Sequence, residues 1–272
     1  MIVSCFSDEI DSSLDVQIRV IKELGLRHLE IRTVDDVNVM DLEDSTVREI
    51  YERTRDEGLT ITCVSSPIGK DDVSLPVETA VEQVRLACSR ADAFGCRFIR
   101  VFSFYQGDRL RSEAFPLSIE RLAAMAQEAA SNGKILVLEG GEGTICKRSA
   151  YLKMALDMVN SPNLKCAFDP SAFLAAGDDP LLESLPRLED QIEYMHIKDS
   201  RFDDVTRCVA GEGDCEIPSL LNHLRYRRDL VISLEPHLAY AGIRRGFSGI
   251  EPFREAHRAL KAILDDLQID YR

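Results

Sequence analysis

Short apolar runs and longer amphipathic stretches alternate along the chain eight times. The runs lie at 1–7, 28–32, 60–65, 97–103, 134–139, 164–169, 192–197 and 230–235. Each is too brief for a stable helix and rich in the residue types of buried strands. The stretches between them place apolar residues at i, i+3, i+4 and i+7. Leu14 to Leu24 carries Val16, Ile18, Val20, Ile21 and Leu24, and Val77 to Phe94 carries Val81, Val84, Ala87 and Ala91. The same spacing predicts helices over Pro116 to Ala130, Ser149 to Val159, Ile217 to Leu224 and Glu251 to Leu267. A shorter one is expected over Pro180 to Leu188, with Pro180 in its first turn. Strands that alternate with helices imply a parallel sheet. Eight such units predict an α/β fold, a single (β/α)8 TIM barrel occupying 1–272.

Connection lengths point the same way. Helix-to-strand links are short, as in Gly25-Leu26-Arg27, Glu57-Gly58, Gly95-Cys96 and Ser131-Asn132-Gly133. The links after Ser66, Phe102, Asp199 and Glu235 are much longer than the usual ~4–6 residues. Long loops therefore collect on the C-terminal rim of the strands, where barrel enzymes keep their active sites.

Four of the apolar runs deliver polar side chains to that rim. Ile135-Leu136-Val137-Leu138 stops on Glu139, Cys166-Ala167-Phe168 on Asp169, Tyr194-Met195 on His196 and Ile232-Ser233-Leu234 on Glu235. Singly, each has a plainer reading. An acidic residue at a strand end commonly caps the next helix, and Asp169-Pro170 has the form of a cap-and-turn pair. A lone His after a strand is more often a hydrogen-bonded structural residue than a ligand. Jointly, parallel neighbouring strands would bring three carboxylates and one imidazole to one point, which is a divalent-metal site. One ion per chain is expected, with Mn²⁺ favoured and Mg²⁺, Co²⁺ or Zn²⁺ as alternatives.

Composition narrows the partners. A formal net charge of −14, from 33 Lys+Arg against 47 Asp+Glu, leaves no basic stripe to displace counterions, so nucleic acid is excluded. The basic clusters Arg225-Tyr226-Arg227-Arg228 and Arg244-Arg245 read as solvated surface. There is no basic leader ahead of a cleavage site, and no apolar run nears the ~20 residues of a membrane span, so no membrane partner is expected. Eight cysteines without a C-x-x-C pair fit a reduced, cytoplasmic compartment. A small molecule remains as the class of partner.

Longer motifs carry a resemblance. Leu138-Glu139-Gly140-Gly141, Phe168-Asp169-Pro170, His196-Ile197-Lys198-Asp199 and Leu234-Glu235-Pro236-His237 occur in this order. With Leu29-Glu30-Ile31-Arg32, Ser65-Ser66-Pro67-Ile68-Gly69-Lys70, Arg100-Val101-Phe102-Ser103 and Gly211-Glu212-Gly213, the set resembles the sugar-phosphate isomerase/epimerase superfamily with a xylose-isomerase-like barrel. The resemblance implies metal ligands at Glu139, Asp169, His196 and Glu235, with Glu139 and Glu235 as the proton-transferring pair. It departs from the ketose 3-epimerases at Ala172, where they carry a histidine. They also place a basic side chain shortly after the metal histidine, and Arg201 lies close to that position.

The chemistry follows from the residues as well. A cation held by three carboxylates and one His keeps open positions for the vicinal oxygens of a hydroxycarbonyl compound, and stabilises the enediolate formed when the adjacent proton leaves. A carboxylate takes that proton and returns it to the neighbouring carbon or to the opposite face, giving isomerisation or epimerisation. Loss of a β-hydroxyl instead gives a dehydratase of the inosose or dehydroshikimate type. Lys198, His237, Arg201, Lys70 and Arg32 are the candidate substrate-binding residues, suited to an anionic or polyhydroxy compound. A salt bridge to Asp199 or Glu193 is the plainer role for Lys198. His28, His223 and His257 read as structural, and Gly211-Glu212-Gly213 is too short for a phosphate loop. A repair endonuclease on this barrel would need a histidine-rich multi-zinc site, against five histidines here.

Overall fold

The computed structural model of the protein describes residues 1–203, 206–238 and 248–272. Its eight barrel strands are β1 (Ile2–Cys5), β2 (His28–Ile31), β3 (Thr60–Ser65), β4 (Phe98–Val101), β5 (Ile135–Glu139), β6 (Leu164–Phe168), β7 (Ile192–Ile197) and β8 (Val231–Leu234). Each pairs in parallel with the next from β2 to β8, and β8 pairs with β1. One parallel bridge, Phe6 to Glu30, joins β1 to β2 and nearly closes the barrel. The chain terminus helps at this seam, where Val3 N donates to Arg272 O at 2.9 Å.

The outer layer is α1 (Leu14–Glu23), α2 (Asp44–Asp56), α3 (Val77–Ala93), α4 (Arg111–Ser131), α5 (Ser149–Val159), α6 (Pro170–Ala175), α7 (Leu185–Leu188), α8 (Ile217–Leu224) and α9 (Ile250–Asp266). Several of these differ from expectation. α2 has no counterpart in the sequence reading, because only Val47, Ile50 and Thr54 of its thirteen residues are buried, a stripe too narrow to stand out among its charges. α4 begins five residues before Pro116, at Arg111, where the Glu113 carboxylate accepts the Leu110 N–H at 3.3 Å. The expected helix over Pro180 to Leu188 is a wide-turned segment, Pro180–Ser184, that runs into α7. No helix among the described residues is long and apolar enough to cross a membrane.

Most of the core lies between the strands and the helices. A second, small apolar cluster fills the barrel itself: Cys63, Phe98, Val137, Ala167, Tyr194 and Val231. Side chains alternate along a strand, so residues two positions on share the same face. Two residues beyond that floor stand Ser65, Arg100, Glu139, Asp169, His196 and Ser233, and two beyond Ser233 stands Glu235. The pleat thus turns an apolar floor into a polar mouth within one step.

The loop after β3 is locked against the one after β4. Phe102 N donates to Ile68 O at 2.8 Å, and Phe104 N to Gly69 O at 2.7 Å. Gly69 has φ +83°, and a Cβ there would lie 2.0 Å from the Phe102 carbonyl oxygen. Gly69→Ala combines left-handed strain with a backbone clash, at about 2–4 kcal/mol. The expected outcome is a melting temperature lower by roughly 5–15 °C. An unchanged melting temperature would show that this contact does not hold the mouth together.

Candidate metal centre

His196 is the innermost member of the polar mouth. β7 turns it into the barrel, where its ring meets Phe6 edge-on at 5.1 Å and Tyr194 at 5.7 Å. These aromatic walls fix the imidazole plane. Its Nδ1 lies 3.6 Å from Glu139 Oε1 and 3.6 Å from Glu235 Oε2, and its Nε2 lies 3.7 Å from Glu30 Oε1. Asp169 comes from the end of β6 and does two things at once. Its Oδ1 accepts the Ala172 N–H at 3.0 Å, capping α6, while Oδ2 accepts from Lys198 Nζ at 2.9 Å. Cap and site member, posed as alternatives by the sequence, are the same residue.

Glu139, Asp169, His196 and Glu235 are all buried, and one ligating atom from each lies within 4.8 Å of the others. Glu139 Oε2 and both His196 nitrogens have no hydrogen-bond partner among the described residues. Buried polar atoms are normally paired. The unpaired His196 Nδ1, flanked by Glu139 and Glu235 with Asp169 within reach, fits a divalent cation. Without one, charge is balanced by protons. Burial disfavours the imidazolium, but Glu139 and Glu30 outweigh it and raise His196 to about 10. Burial likewise works against an ionised Glu235, yet Lys198, His237, His196 and Arg32 hold it well below the usual carboxylate range.

Each glutamate has its own guanidinium behind it. Arg100 Nη1 stands 3.3 Å from Glu139 Oε2, and Arg32 Nη1 stands 2.8 Å from Glu235 Oε1. Arg32 also reaches Asp8 Oδ2 at 2.7 Å and Glu9 Oε1 at 3.0 Å, two carboxylates with no exposed surface. His237, at φ +52°, places Nδ1 2.7 Å from Glu9 Oε1 and Nε2 3.6 Å from Glu235 Oε1. Lys198 Nζ lies 2.7 Å from Glu235 Oε2; neither Asp199 nor Glu193 is its partner among the described residues.

A cleft of about 580 Å³ opens above this cluster, and Arg32, Lys70, Lys198 and His237 all line it. Lys70 Nζ sits over the Phe102 ring at 4.3 Å. Arg201 is exposed and is not part of the lining, whereas Arg207 is. A hairpin, Asp199–Ser200 against Arg207–Cys208, accounts for the difference, since its returning strand sets Arg207 beside Ser200. The buried Asp199 carboxylate pins its base, accepting N–H groups from Ser200 at 2.8 Å, Gly211 at 2.8 Å, Gly213 at 3.1 Å and Cys215 at 3.1 Å. A Cβ on Gly213 would lie 2.2 Å from Asp199 Oδ1. Gly211-Glu212-Gly213 therefore wraps a carboxylate of the protein itself.

Asp8, Glu9, Glu30, Arg100 and Arg207 were not singled out from the sequence. A signal for Arg100 was available, since it stands two residues beyond the apolar Phe98 on its strand. Of the basic clusters, Arg225 and Arg227 donate to the Leu267 and Ile192 carbonyls, and Arg244-Arg245 lie outside the described residues. His223 lies 2.9 Å from Glu189 Oε1 on the exposed surface.

A nearly closed parallel barrel with this mouth defines a class, and the sequence agrees with it. The chain belongs to the xylose isomerase-like TIM barrel family, which it matches over residues 18–266. Among solved structures it is similar to a D-tagatose 3-epimerase-like protein, at 20% identity and TM-score 0.78 over 98% of each chain. It is similar to the probable 3-DHS dehydratase AsbF of Bacillus anthracis, at 20% identity and TM-score 0.70, over 98% of this chain and 99% of that one. It is also similar to the IOLI protein with a bound zinc atom, at 16% identity and TM-score 0.74 over 98% of each. At these identities the likeness establishes the fold alone. No curated protein matches the sequence.

Two measurements probe the centre. Arg32→Gln leaves the buried Asp8 without a cation among the described residues and removes one from Glu9 and Glu235, and is expected to cost about 3–5 kcal/mol, read in a denaturant titration; a loss under about 1 kcal/mol would mean the network is solvated. Binding of Mn²⁺ must displace the His196 proton, because that group is protonated at neutral pH in the metal-free chain. Metal affinity should therefore rise with pH, by roughly tenfold per unit up to the His196 value. Calorimetry in buffers of different ionisation enthalpy should show about one proton released per ion at neutral pH. Affinity independent of pH would place the ion elsewhere.

Proposed function

We propose that this chain is a divalent-metal-dependent isomerase or epimerase of a small keto-sugar or related hydroxycarbonyl compound. The observation that carries the reading is the pairing of Glu139 and Glu235, which approach the same His196 nitrogen from different strands at 3.6 Å each. Glu139, Asp169, His196 and Glu235 would hold the ion, with Mn²⁺ favoured. When bound, the ion supplies Lewis acidity that makes the proton next to the substrate carbonyl easier to remove.

The remaining work falls to side chains. Against burial, His196 and Arg100 keep Glu139 ionised at neutral pH, and Lys198, His237, His196 and Arg32 do the same for Glu235, so each can accept a proton. One glutamate removes the proton, and the same or the opposite one returns it to the adjacent carbon or the other face. Lys198, buried between Asp169 and Glu235, orients a substrate oxygen with its remaining N–H groups. Phe102 and the alanines of α6 form the apolar wall that limits water at the reacting carbon.

A dehydratase is the second reading. It is favoured by Lys198, whose ammonium, 2.7 Å from Glu235 Oε2, is a proton source for a departing hydroxyl. Mass spectrometry of the product separates the two, since elimination loses one water and isomerisation loses nothing.

Glu139→Gln and Glu235→Gln keep a ligating oxygen and remove the basic one. With saturating Mn²⁺, both variants should regain full metal content while turnover of ketoses and aldoses falls by about 10²–10⁴-fold. Proton NMR in deuterated solvent would follow exchange at the carbon next to the carbonyl. If both metal-loaded variants keep rates near that of the unmodified chain, the base is another group and the proposal fails.

A further inference from the structure

Glu30 faces the nitrogen of His196 that Glu139 and Glu235 do not. It has no exposed surface and is not part of the cleft lining, so it acts behind the site rather than in it. No lysine or arginine lies within ion-pair distance of it among the described residues. His196 is its ionic partner, with Nε2 3.7 Å from Glu30 Oε1. Oε1 also accepts the Ser65 hydroxyl, while Glu30 Oε2 and His196 Nε2 have no hydrogen-bond partner among the described residues. A buried carboxylate is costly unless it is paired. The imidazole is the pairing this fold supplies, so whatever Glu30 does is done through His196.

The sheet is irregular on both sides of this contact. The pairing of β2 with β3 shifts register between Leu29 and Glu30: Leu29 faces Ile61 and Glu30 faces Cys63, which leaves Thr62 unopposed. The pairing of β6 with β7 shifts between Cys166 and Ala167, and there Glu193, on the strand of His196, is unopposed. The other parallel ladders of the barrel keep their register. An extra residue bends its strand and re-aims the side chains beside it, and such bulges are over-represented next to active sites. The two irregularities also meet. Thr62 Oγ1 donates to Leu29 O at 3.1 Å and lies 2.9 Å from the Tyr194 hydroxyl, and the Tyr194 ring meets His196 edge-on. Two strands that are not neighbours are thus displaced, and both displacements bear on the same pair of side chains.

We propose that Glu30 is the positioning residue of the metal histidine: it accepts the Nε2–H of His196 and so leaves Nδ1 to the ion. Around Nδ1 stand Glu139 and Glu235, with Asp169 completing their group; beside Nε2 stands Glu30. Three carboxylates on one edge of the ring and one on the other decide which nitrogen takes the ion and which keeps its proton. A carboxylate at the far nitrogen fixes the tautomer and makes the near nitrogen a stronger ligand. The inference rests on the metal centre of the proposed function, not on the reaction assigned to it.

The test loads the full chain with Co²⁺, whose unpaired electrons move the proton resonances of its ligands far outside their ordinary range. The unmodified chain should show one strongly shifted, solvent-exchangeable N–H resonance, from His196 Nε2. Glu30→Ala should shift that resonance or broaden it away, and calorimetry should find Co²⁺ bound about 10–100-fold more weakly. Glu30→Gln keeps an acceptor oxygen without the charge, so it should retain the resonance at a changed position and lose less affinity. Denaturation of the metal-free variants reports folding separately; a merely structural Glu30 would lower the midpoint and leave affinity and resonance in place. Absence of the exchangeable resonance from the cobalt-loaded unmodified chain, or an unchanged resonance and affinity in Glu30→Ala, would overturn the proposal. Should Glu30→Ala not fold, Glu30→Gln decides, and a resonance and affinity equal to those of the unmodified chain count against it. An unmodified chain that binds no cobalt removes the metal centre and this inference together. A chain that forms the centre as described but turns over no hydroxycarbonyl compound removes the proposed reaction and leaves the role of Glu30 standing.

Discussion

Three carboxylates cannot share a buried space without positive charge among them. At the separations found here, within 4.8 Å, each like-charged pair repels by about 3–4 kcal/mol at an effective dielectric near 20. The barrel meets that demand in layers. An imidazolium stands in the centre, Lys198 bridges Asp169 and Glu235, and a guanidinium stands behind each glutamate. Arg32 then needs Asp8 and Glu9 to balance it, and Glu9 in turn holds His237 and Ser248 Oγ, the latter at 2.7 Å. The identity of nearly every polar residue at the mouth follows from charge balance around one point.

The parallel strands and the four convergent side chains were legible because both signals are local. A buried strand reads as an apolar run, and its last inward residue is visible two steps past the floor. Other features depend on contacts that spacing does not encode. α2 buries three side chains and looks like surface until β3 is beneath it. Arg32 reads correctly as a cation at the rim, but nothing in Leu29-Glu30-Ile31-Arg32 reveals that Asp8, Glu9 and Glu235 occupy it. Arg201 and Arg207 exchange places because a hairpin of two-residue strands intervenes, too short to leave a periodic trace. Asp8 and Glu9 sit in a single turn after β1 with no glycine or proline to mark the change of direction.

A common barrel and common floor leave discrimination to the loops. Proteins of this fold include both epimerase-like and dehydratase relatives, so the shared mouth cannot by itself choose the reaction. In this chain the strip from Ser171 to Ala176 and the hairpin bearing Arg207 border the cleft. Alanine at 172 widens that strip, and the Asp199 carboxylate fixes the hairpin that borders it.

Glu9 and Arg32 have a consequence for how the chain is made. Their partners His237 and Glu235 lie 228 and 203 residues further along. During synthesis two carboxylates and a guanidinium emerge early and remain hydrated until nearly the whole polypeptide has followed. Contacts of such separation form slowly, since the intervening loop must close before they contribute. Assembly of the mouth is thus a late event, and a nascent or truncated chain carries half of an ionic network at the edge of an open sheet. In a cell that half-built edge is the species most exposed to chaperones and to misassociation.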